Sequence, residues 1–329
     1  MNKMFPLIFI TALILFFIFK KFSPSLQQLA LPTPTPTLHP LSVSNLSSFI
    51  DTKTTITTEK ILSRHSQYTS YLVSYYSQNL KLYALMNLPT VNSPLSSFPV
   101  IIVNHGYIPP SQFSTSQSYV NTSAYYASSG FLVLKPDFRG HANSQGEADR
   151  FLSRSNYAVD VLNLIAGLNS LPQADIRNVF MYGHSMGAEV SLLVTQNSPQ
   201  IKAISLWAPA VTDFPKNVTY FRNRRLPIPT DQPDFQSSLN QLLSQYPASD
   251  FAAIDHIDKI NIPLIIHHSP TDESVPYSWG QVLVQKLKDQ NKSVTFYTYQ
   301  NDDHNLSRHW SQALNRDLEF FRSRMDIRK

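Results

Sequence analysis

Two glycines bracket one serine in Gly183-His184-Ser185-Met186-Gly187, between a stretch that reads as a strand, Asn178 to Tyr182, and one that reads as a helix, Met186 to Thr195. A chain with this pattern has to turn sharply from strand to helix. Such a turn lifts the serine side chain above the end of a sheet, and the flanking glycines relieve its crowding. The chain has only 8 glycines, so two of them around a serine at this junction is a specific signal. It makes Ser185 the candidate nucleophile. The backbone N–H of Met186, opening the helix, becomes a candidate donor to an oxyanion.

The rest of the chain repeats the same strand-to-helix rhythm. Tyr68 to Tyr76 and Leu80 to Leu88, separated by Ser77-Gln78-Asn79, read as an antiparallel hairpin. Pro99 to Val103, Phe131 to Leu134, Ile201 to Leu206, Pro263 to Ile266 and Val294 to Tyr299 are short apolar runs that read as strands. Between them lie helical patterns: Thr122 to Ser129, then Tyr157, Val161, Leu164, Ile165 and Leu168, then Trp279, Val282, Leu283 and Leu287, then Trp310, Ala313, Leu314 and Phe321. Alternating β and α units imply an α/β fold, a mostly parallel sheet with helices on both faces. One stretch breaks the rhythm. Residues 209–260, rich in proline and carrying Arg222, Arg224 and Arg225, read as a cap inserted over the top of the sheet.

A serine nucleophile needs a base, and the base needs an acid to orient it. Asp272 follows the strand Pro263 to Ile266, and His304 follows Val294 to Tyr299. Both therefore sit on loops at carboxyl ends of strands, where catalytic groups gather in open α/β sheets. Glu273 is the alternative acid, and His309 the alternative base, expected inside the last helix. A second oxyanion donor should come from Asn104-His105-Gly106-Tyr107 after the strand Pro99 to Val103; the Tyr107 N–H is favoured, with its phenol adding a donor or lining the pocket. His105 reads as a residue that holds this loop by hydrogen bonds. Asp137 and Arg139, in the polar run Pro136 to Glu147, read as structural groups bonding backbone around the site.

Together these residues resemble the catalytic domain of the prolyl-oligopeptidase family of serine hydrolases and its esterase relatives, within the α/β-hydrolase superfamily. The resemblance covers roughly Tyr68 to Phe321 and rests on His105-Gly106, Asp137 to His141, Gly183 to Gly187, Asp272 with Val275-Pro276, and Asp303-His304. Two positions depart from the family pattern: Ala142 replaces a second glycine, and Ser269-Pro270 replaces a glycine-containing approach to the acid. The resemblance implies hydrolysis through an acyl-Ser185 intermediate without cofactor or metal. Peptidases of that family carry a β-propeller ahead of the catalytic domain, and the stretch before Pro99 has room for only a few strands. His105-Gly106-Tyr107 also resembles acetyl-ester deacetylases of the same fold. The expected activity is a carboxylic-ester or small-amide hydrolase. The alternatives are a serine peptidase of that family and a membrane-tethered binding module without activity.

The amino terminus carries a different signal. Met4 to Phe19 is an unbroken apolar run with Lys3 before it and Lys20-Lys21 after it. Residues 1–22 read as a transmembrane anchor or uncleaved signal, because no small-residue cleavage site follows. Residues 23–43, with the Pro/Thr alternation Leu31 to Thr37, read as an extended spacer, leaving 44–329 as the hydrolase domain. An anchor and a stiff spacer suggest a catalytic domain outside the cytoplasm. The net charge of +5 comes from scattered residues and gives no nucleic-acid footprint. Absence of cysteine excludes disulfides and thiolate chemistry. The expected partners are a small ester, amide or peptide substrate and, through residues 1–22, a membrane. The cap arginines are placed to meet an anionic part of a substrate.

Overall fold

The computed structural model describes residues 38–90, 97–224 and 232–326. The expected anchor, most of the spacer and Arg225 lie outside the described residues. Among the described residues no helix is long and apolar enough to cross a membrane. Burial already begins at Ser42 and Val43, and the Val43 N–H donates to the Asp250 carbonyl at 2.7 Å.

Nine strands form one sheet: β1 (Thr57–Arg64), β2 (Tyr68–Ser77), β3 (Leu80–Pro89), β4 (Phe98–Asn104), β5 (Leu132–Asp137), β6 (Ala174–His184), β7 (Ile201–Trp207), β8 (Leu264–His268) and β9 (Val294–Thr298). Their order is β1-β2-β3-β5-β4-β6-β7-β8-β9. The pairs from β5 through β9 are parallel, while β1–β2, β2–β3 and β3–β5 are antiparallel. The β2–β3 hairpin closes on Gln78-Asn79, both with positive φ (50° and 64°), with Ser77 opposite Leu80. A two-residue turn of that kind matches the twist of the strands it joins.

Side chains alternate across the sheet, so each central strand feeds two cores. Val100 and Ile102 of β4 and Val179 and Met181 of β6 face one core, which also takes Ala188, Leu192 and Leu193. Ile101, Val103, Phe180 and Tyr182 face the other, with Tyr126, Leu314 and Phe321. The helices follow that division. On the first face lie α2 (Ser153–Ala166), α3 (Met186–Thr195) and α6 (Tyr277–Asp289); on the second lie α1 (Val120–Ser128) and α7 (Trp310–Arg322). The insertion supplies α4 (Lys216–Asn223) and α5 (Gln232–Gln245).

Two expectations need correction, and one strand was not expected. Val282 is 50% exposed, whereas Trp279, Gly280, Leu283, Val284 and Leu287 of α6 are buried. At about 100° per residue, Val282 points well away from the centre of that set, and Val284 takes its place. The end of the insertion is not a cap. Phe251, Ile254, Ile257 and Ile260 are buried in the first core, and Gln196 at the end of α3 donates to the Ala253 and His256 carbonyls at 2.7 and 3.2 Å. The strand β1 gave no sequence signal. It is an edge strand, exposed along nearly all its length, so no burial imposes alternation on it.

Candidate active site

Ser185 sits at the junction of β6 and α3 with φ 54° and ψ −116°, a positive-φ conformation that a serine adopts only under constraint. Backbone bonds on both sides impose it. The Ser185 N–H donates to the Trp207 carbonyl at 2.9 Å, and the Ser185 carbonyl accepts from Ala210 and Ala188, each at 3.1 Å. The requirement for glycine after it is steric. A Cβ on Gly187 would stand 2.1 Å from the Asn104 carbonyl oxygen. The nucleophile helix thus packs directly against the end of β4, which brings the 104–107 loop beside Ser185. Gly106 is equally close: a Cβ there would lie 3.3 Å from the Ser185 Cβ and 2.6 Å from the Tyr119 hydroxyl.

The loops after β8 and β9 bring Asp272 and His304 together. The His304 Nδ1–H donates to Asp272 Oδ2 at 2.8 Å. A carboxylate oxygen can only accept, so the proton is on Nδ1 and Nε2 is left as the basic nitrogen. The Asp272 carboxylate, shielded from solvent, is thoroughly satisfied. Its Oδ1 accepts from Ser274 and Val275 N–H, both at 2.8 Å, and its Oδ2 also accepts from His268 Nε2 at 3.1 Å. Burial pushes this carboxyl up, but the bonds from His268 and His304 outweigh it and hold Asp272 well below the ordinary carboxylate range. Glu273, the alternative acid, accepts from the His304 backbone N–H at 3.1 Å and does not meet the ring. His309 precedes α7 instead of lying within it, and its Nδ1 bonds the buried Asp302 at 2.7 Å. Ser269, where the chain departs from the family pattern, braces the site. Its hydroxyl and that of Thr271 both donate to the Asp302 carbonyl at 2.7 Å, tying the acid loop to the histidine loop.

His184, between the glycine and the nucleophile, ties the third loop in. The Tyr119 hydroxyl accepts the Gly106 N–H at 2.9 Å, and its own proton is directed at His184 Nδ1, 2.5 Å away. His184 Nε2–H donates to the His304 carbonyl at 3.1 Å. Burial, reinforced by His304, pushes the His184 imidazole down to about 3, so it is neutral and has one donor and one acceptor nitrogen, as this chain of bonds requires. His105 is buried between the rings of Phe113 and Phe138, with Nδ1 on the Gly106 carbonyl at 2.8 Å. Beneath it, burial raises Asp137 and lowers Lys135, and each partly offsets the other. The expectation that Asp137 and Arg139 bond backbone needs revision. Asp137 accepts from the Thr115 hydroxyl, while Arg139 clamps the buried Asp160 of α2 at 2.5 and 2.9 Å and reaches Gln78 of the hairpin at 2.8 Å.

A cavity of about 450 Å³ opens beside Ser185. Ser185, Met186 and Tyr107 line it, so the candidate nucleophile and both candidate oxyanion residues share one space. Helices α4 and α5 contribute Val218, Phe221, Arg222 and Phe235. Of the described insertion arginines only Arg222 lines it. Arg224 turns away, bonding Tyr220 at 2.5 Å and the Glu273 carbonyl at 3.3 Å. Arg150 and Arg154 also line the cavity, and nothing in the sequence pattern pointed to them. Among the described residues no group of histidine and acidic side chains is placed to hold a metal ion.

A strained serine at the turn after β6 and an Asp–His pair on the loops after β8 and β9 define a class. The fold is that of the α/β hydrolases, and the chain is a serine hydrolase. Residues 97–248 match the serine aminopeptidase S33 family. The chain is similar to the uncharacterized peptidase YtmA of Bacillus subtilis (strain 168), 21% identical over 244 residues, covering 71% of this chain and 85% of that protein. Among solved structures it is similar to acetyl xylan esterase 1 from Thermoanaerobacterium sp. JW/SL YS485, with a TM-score of 0.62 and 14% identity over 88% of this chain and 95% of that one. It is also similar to the acylaminoacyl peptidase of Pyrococcus horikoshii, with a TM-score of 0.59 and 19% identity over 80% of this chain and 43% of that one. An esterase and a peptidase both share this fold, so the likeness leaves the bond cleaved to the site.

Proposed function

We propose that this chain is a carboxylic-ester hydrolase working through an acyl-Ser185 intermediate. His304 Nε2 takes the Ser185 hydroxyl proton as the serine oxygen bonds to the substrate carbonyl carbon. The Met186 and Tyr107 N–H groups receive the oxyanion. When the tetrahedral species collapses, the bond to the leaving group breaks, and that oxygen takes the proton from His304. Water then repeats the sequence on the acyl-serine, releasing the acid and restoring Ser185. Asp272 holds His304 in the Nδ1–H tautomer throughout.

The observation that supports an ester over a peptide is the cavity beside Ser185. At about 450 Å³, with α4 and α5 contributing to its wall, it matches a short acyl group more closely than an extended chain. The strands preceding β4 support the same reading, since β1 to β3 extend the catalytic sheet itself. The matches to a peptidase family model and a peptidase relative favour the second reading, a serine peptidase. A panel of p-nitrophenyl acetate and butyrate against aminoacyl and dipeptidyl p-nitroanilides separates the two. We expect kcat/KM for the esters to exceed that for any dipeptidyl amide by at least about 100-fold, or roughly 3 kcal/mol of transition-state binding. Efficient cleavage of a proline-directed amide with weak ester turnover would make the peptidase reading correct. Ser185→Ala should abolish fluorophosphonate labelling and lower kcat by about 10⁴-fold; labelling that survives this change would refute the nucleophile.

The apolar run Met4 to Phe19 supports a further part of the proposal, that residues 1–22 hold this domain at a membrane with the site outside the cytoplasm. Full-length protein should sediment with membranes, and protein beginning at Leu38 should be soluble and active. Full-length protein in the soluble fraction would count against it.

A further inference from the structure

His268, the last residue of β8, is a second histidine on the Asp272 carboxylate. Its Nε2–H donates to Asp272 Oδ2 at 3.1 Å, the same oxygen that takes the His304 Nδ1–H at 2.8 Å. With the Ser274 and Val275 N–H groups on Oδ1, four donors occupy the roughly four acceptor sites of one carboxylate. The plane of Asp272 is fixed from both ends, and with it the direction of the His304 ring. The remainder of His268 makes no comparable bond. The residue is fully buried, and its Nδ1 has no hydrogen-bond partner among the described residues. Helix α6 closes that side: a Cβ on Gly280 would stand 2.6 Å from Nδ1, and the Tyr277 ring meets the imidazole edge-on with centroids 5.3 Å apart. A buried imidazole with one nitrogen unbonded costs stability that an apolar side chain would not. The bond it does make runs to the carboxylate that orients His304.

A donor on Oδ2 affects His304 in two ways. It restrains the carboxylate, and it competes with the His304 Nδ1–H for the same oxygen. No single bond lowers the Asp272 carboxyl more than this one. A less basic carboxylate stabilises a His304 imidazolium less, so the ring sheds its proton more readily than it would without His268. The other titratable groups facing His304 are His184, with ring centroids 4.6 Å apart, Glu273, which accepts the His304 backbone N–H, and Asp303 beside it in the chain. From the end of α4, Arg224 reaches the Glu273 carbonyl at 3.3 Å. None of these bonds the Asp272 carboxylate among the described residues, whereas His268 does.

We propose that His268 is a positioning residue for the hydrolysis: by holding Asp272 Oδ2 it fixes the His304 ring and keeps that ring available as a base at lower pH. This inference rests on the acyl-Ser185 mechanism proposed above and adds the residue that adjusts its base.

The test follows two pH profiles in the full-length protein: kcat/KM for p-nitrophenyl acetate, and the rate of fluorophosphonate labelling at Ser185. Both need His304 to take the serine proton, and only the first needs an ester to be turned over. His268→Leu removes the donor and keeps an apolar side chain in its place. His268→Gln puts an amide N–H at the reach of Nε2. In His268→Leu the acid limb of both profiles should move up by about 0.5–1 pH unit, and the plateau should fall about 10-fold as the ring loses its alignment. His268→Gln should return the limb to within about 0.2 unit of wild type. Urea unfolding of each variant identifies a purely structural role. A lower urea midpoint in His268→Leu with an unmoved acid limb would overturn the proposal, and so would a limb that stays displaced in His268→Gln. Nitrogen NMR of the imidazole rings in the wild type needs neither variant. It should find His268 protonated at Nε2 and His304 at Nδ1; a His268 protonated at Nδ1 alone would sink the assignment even if the variants do not fold. If esters are not turned over but the labelling limb moves in His268→Leu, His268 keeps this role and the ester-hydrolase reading fails. If esters are turned over and neither limb moves, that reading stands and this inference fails.

Discussion

The Tyr119 hydroxyl lies 2.5 Å from Nδ1 of His184, the residue immediately before the nucleophile, while accepting the N–H of Gly106 from the oxyanion loop. Because His184 also bonds the His304 carbonyl, one phenol ties together the Gly106 loop, the turn at Ser185 and the His304 loop. These bonds run through neutral groups, so their effect is to fix positions.

Tyr119→Phe keeps the ring and removes only the hydroxyl, leaving the Gly106 N–H and His184 Nδ1 without it. We expect kcat to fall about 10-fold, with KM for a short ester little changed and stability reduced by about 1–3 kcal/mol. Steady-state kinetics beside urea unfolding separates the two effects. A loss of stability with unchanged kcat would show that the phenol only supports the fold.

Asp272 accepts from Ser274, Val275, His268 and His304, and only the last of these is the proposed base. Asp272→Asn should lower kcat by about 10⁴-fold, because an amide favours the wrong imidazole tautomer. Glu273→Gln should be mild, since Glu273 meets His304 through its backbone N–H and not its ring. The reverse ranking in single-turnover assays would reassign the acid.

How much of this could be read from the chain depends on the kind of signal. The turn at Ser185 and the helix Met186–Thr195 were legible to the residue, because glycine spacing and apolar period coincide there. The meeting of Asp272 and His304 was legible because loops after strands are short, so order along the chain becomes proximity in space. Tyr119 and His268 were not. Their contributions depend on side-chain directions across 65 residues of chain in one case and on a second hydrogen bond to a shared carboxylate oxygen in the other. Arg150 and Arg154 precede and open α2, and only the tertiary packing of α4 and α5 brings them to the same cavity as Arg222. Of the cap arginines named from the sequence, Arg222 lines the cavity and Arg224 does not, and Arg150 and Arg154 carried no sequence signal.

His184 makes stability depend on pH. Its folded value is about 3 against 6.5 for a free imidazole. Above pH 6.5 both folded and unfolded chains hold it neutral. As pH falls below 6.5 the unfolded chain binds a proton that the folded chain refuses, so stability is lost progressively down to about pH 3. The loss is about 1.4 kcal/mol per pH unit, so roughly 2 kcal/mol between pH 6.5 and 5. His184→Asn keeps an acceptor for the Tyr119 hydroxyl and has no titrating group. The stability difference between wild type and this variant should therefore move in the variant's favour by about 2 kcal/mol from pH 7 to pH 5. Urea unfolding at both pH values reads it, and a difference independent of pH would mean that His184 is not held neutral.

The departure at Ala142 bears on stability and leaves the chemistry alone. Ala142 has φ 48°, in the left-handed region, within a loop held by Ser144, whose N–H donates to the His141 carbonyl at 2.9 Å and whose hydroxyl donates to the Asp137 carbonyl at 2.7 Å. A residue with a Cβ is strained there by about 1–2 kcal/mol, whereas glycine is not. Glycine in turn makes the unfolded chain more flexible, which offsets about 0.5–1 kcal/mol of the gain. Ala142→Gly should therefore stabilise the protein by about 0.5–1 kcal/mol net. For a domain of this size that raises Tm by about 1–3 °C. Gly140, at φ 77° two residues earlier, provides the opposite case. Gly140→Ala should lose stability, both from strain and because the new Cβ would stand 3.2 Å from the Gly146 carbonyl oxygen. Turnover of a short ester should stay within about twofold in Ala142→Gly, since the residue is exposed and makes no contact with Ser185, Asp272 or His304. A destabilised Ala142→Gly would show that the loop draws more from the alanine methyl than the left-handed backbone takes away.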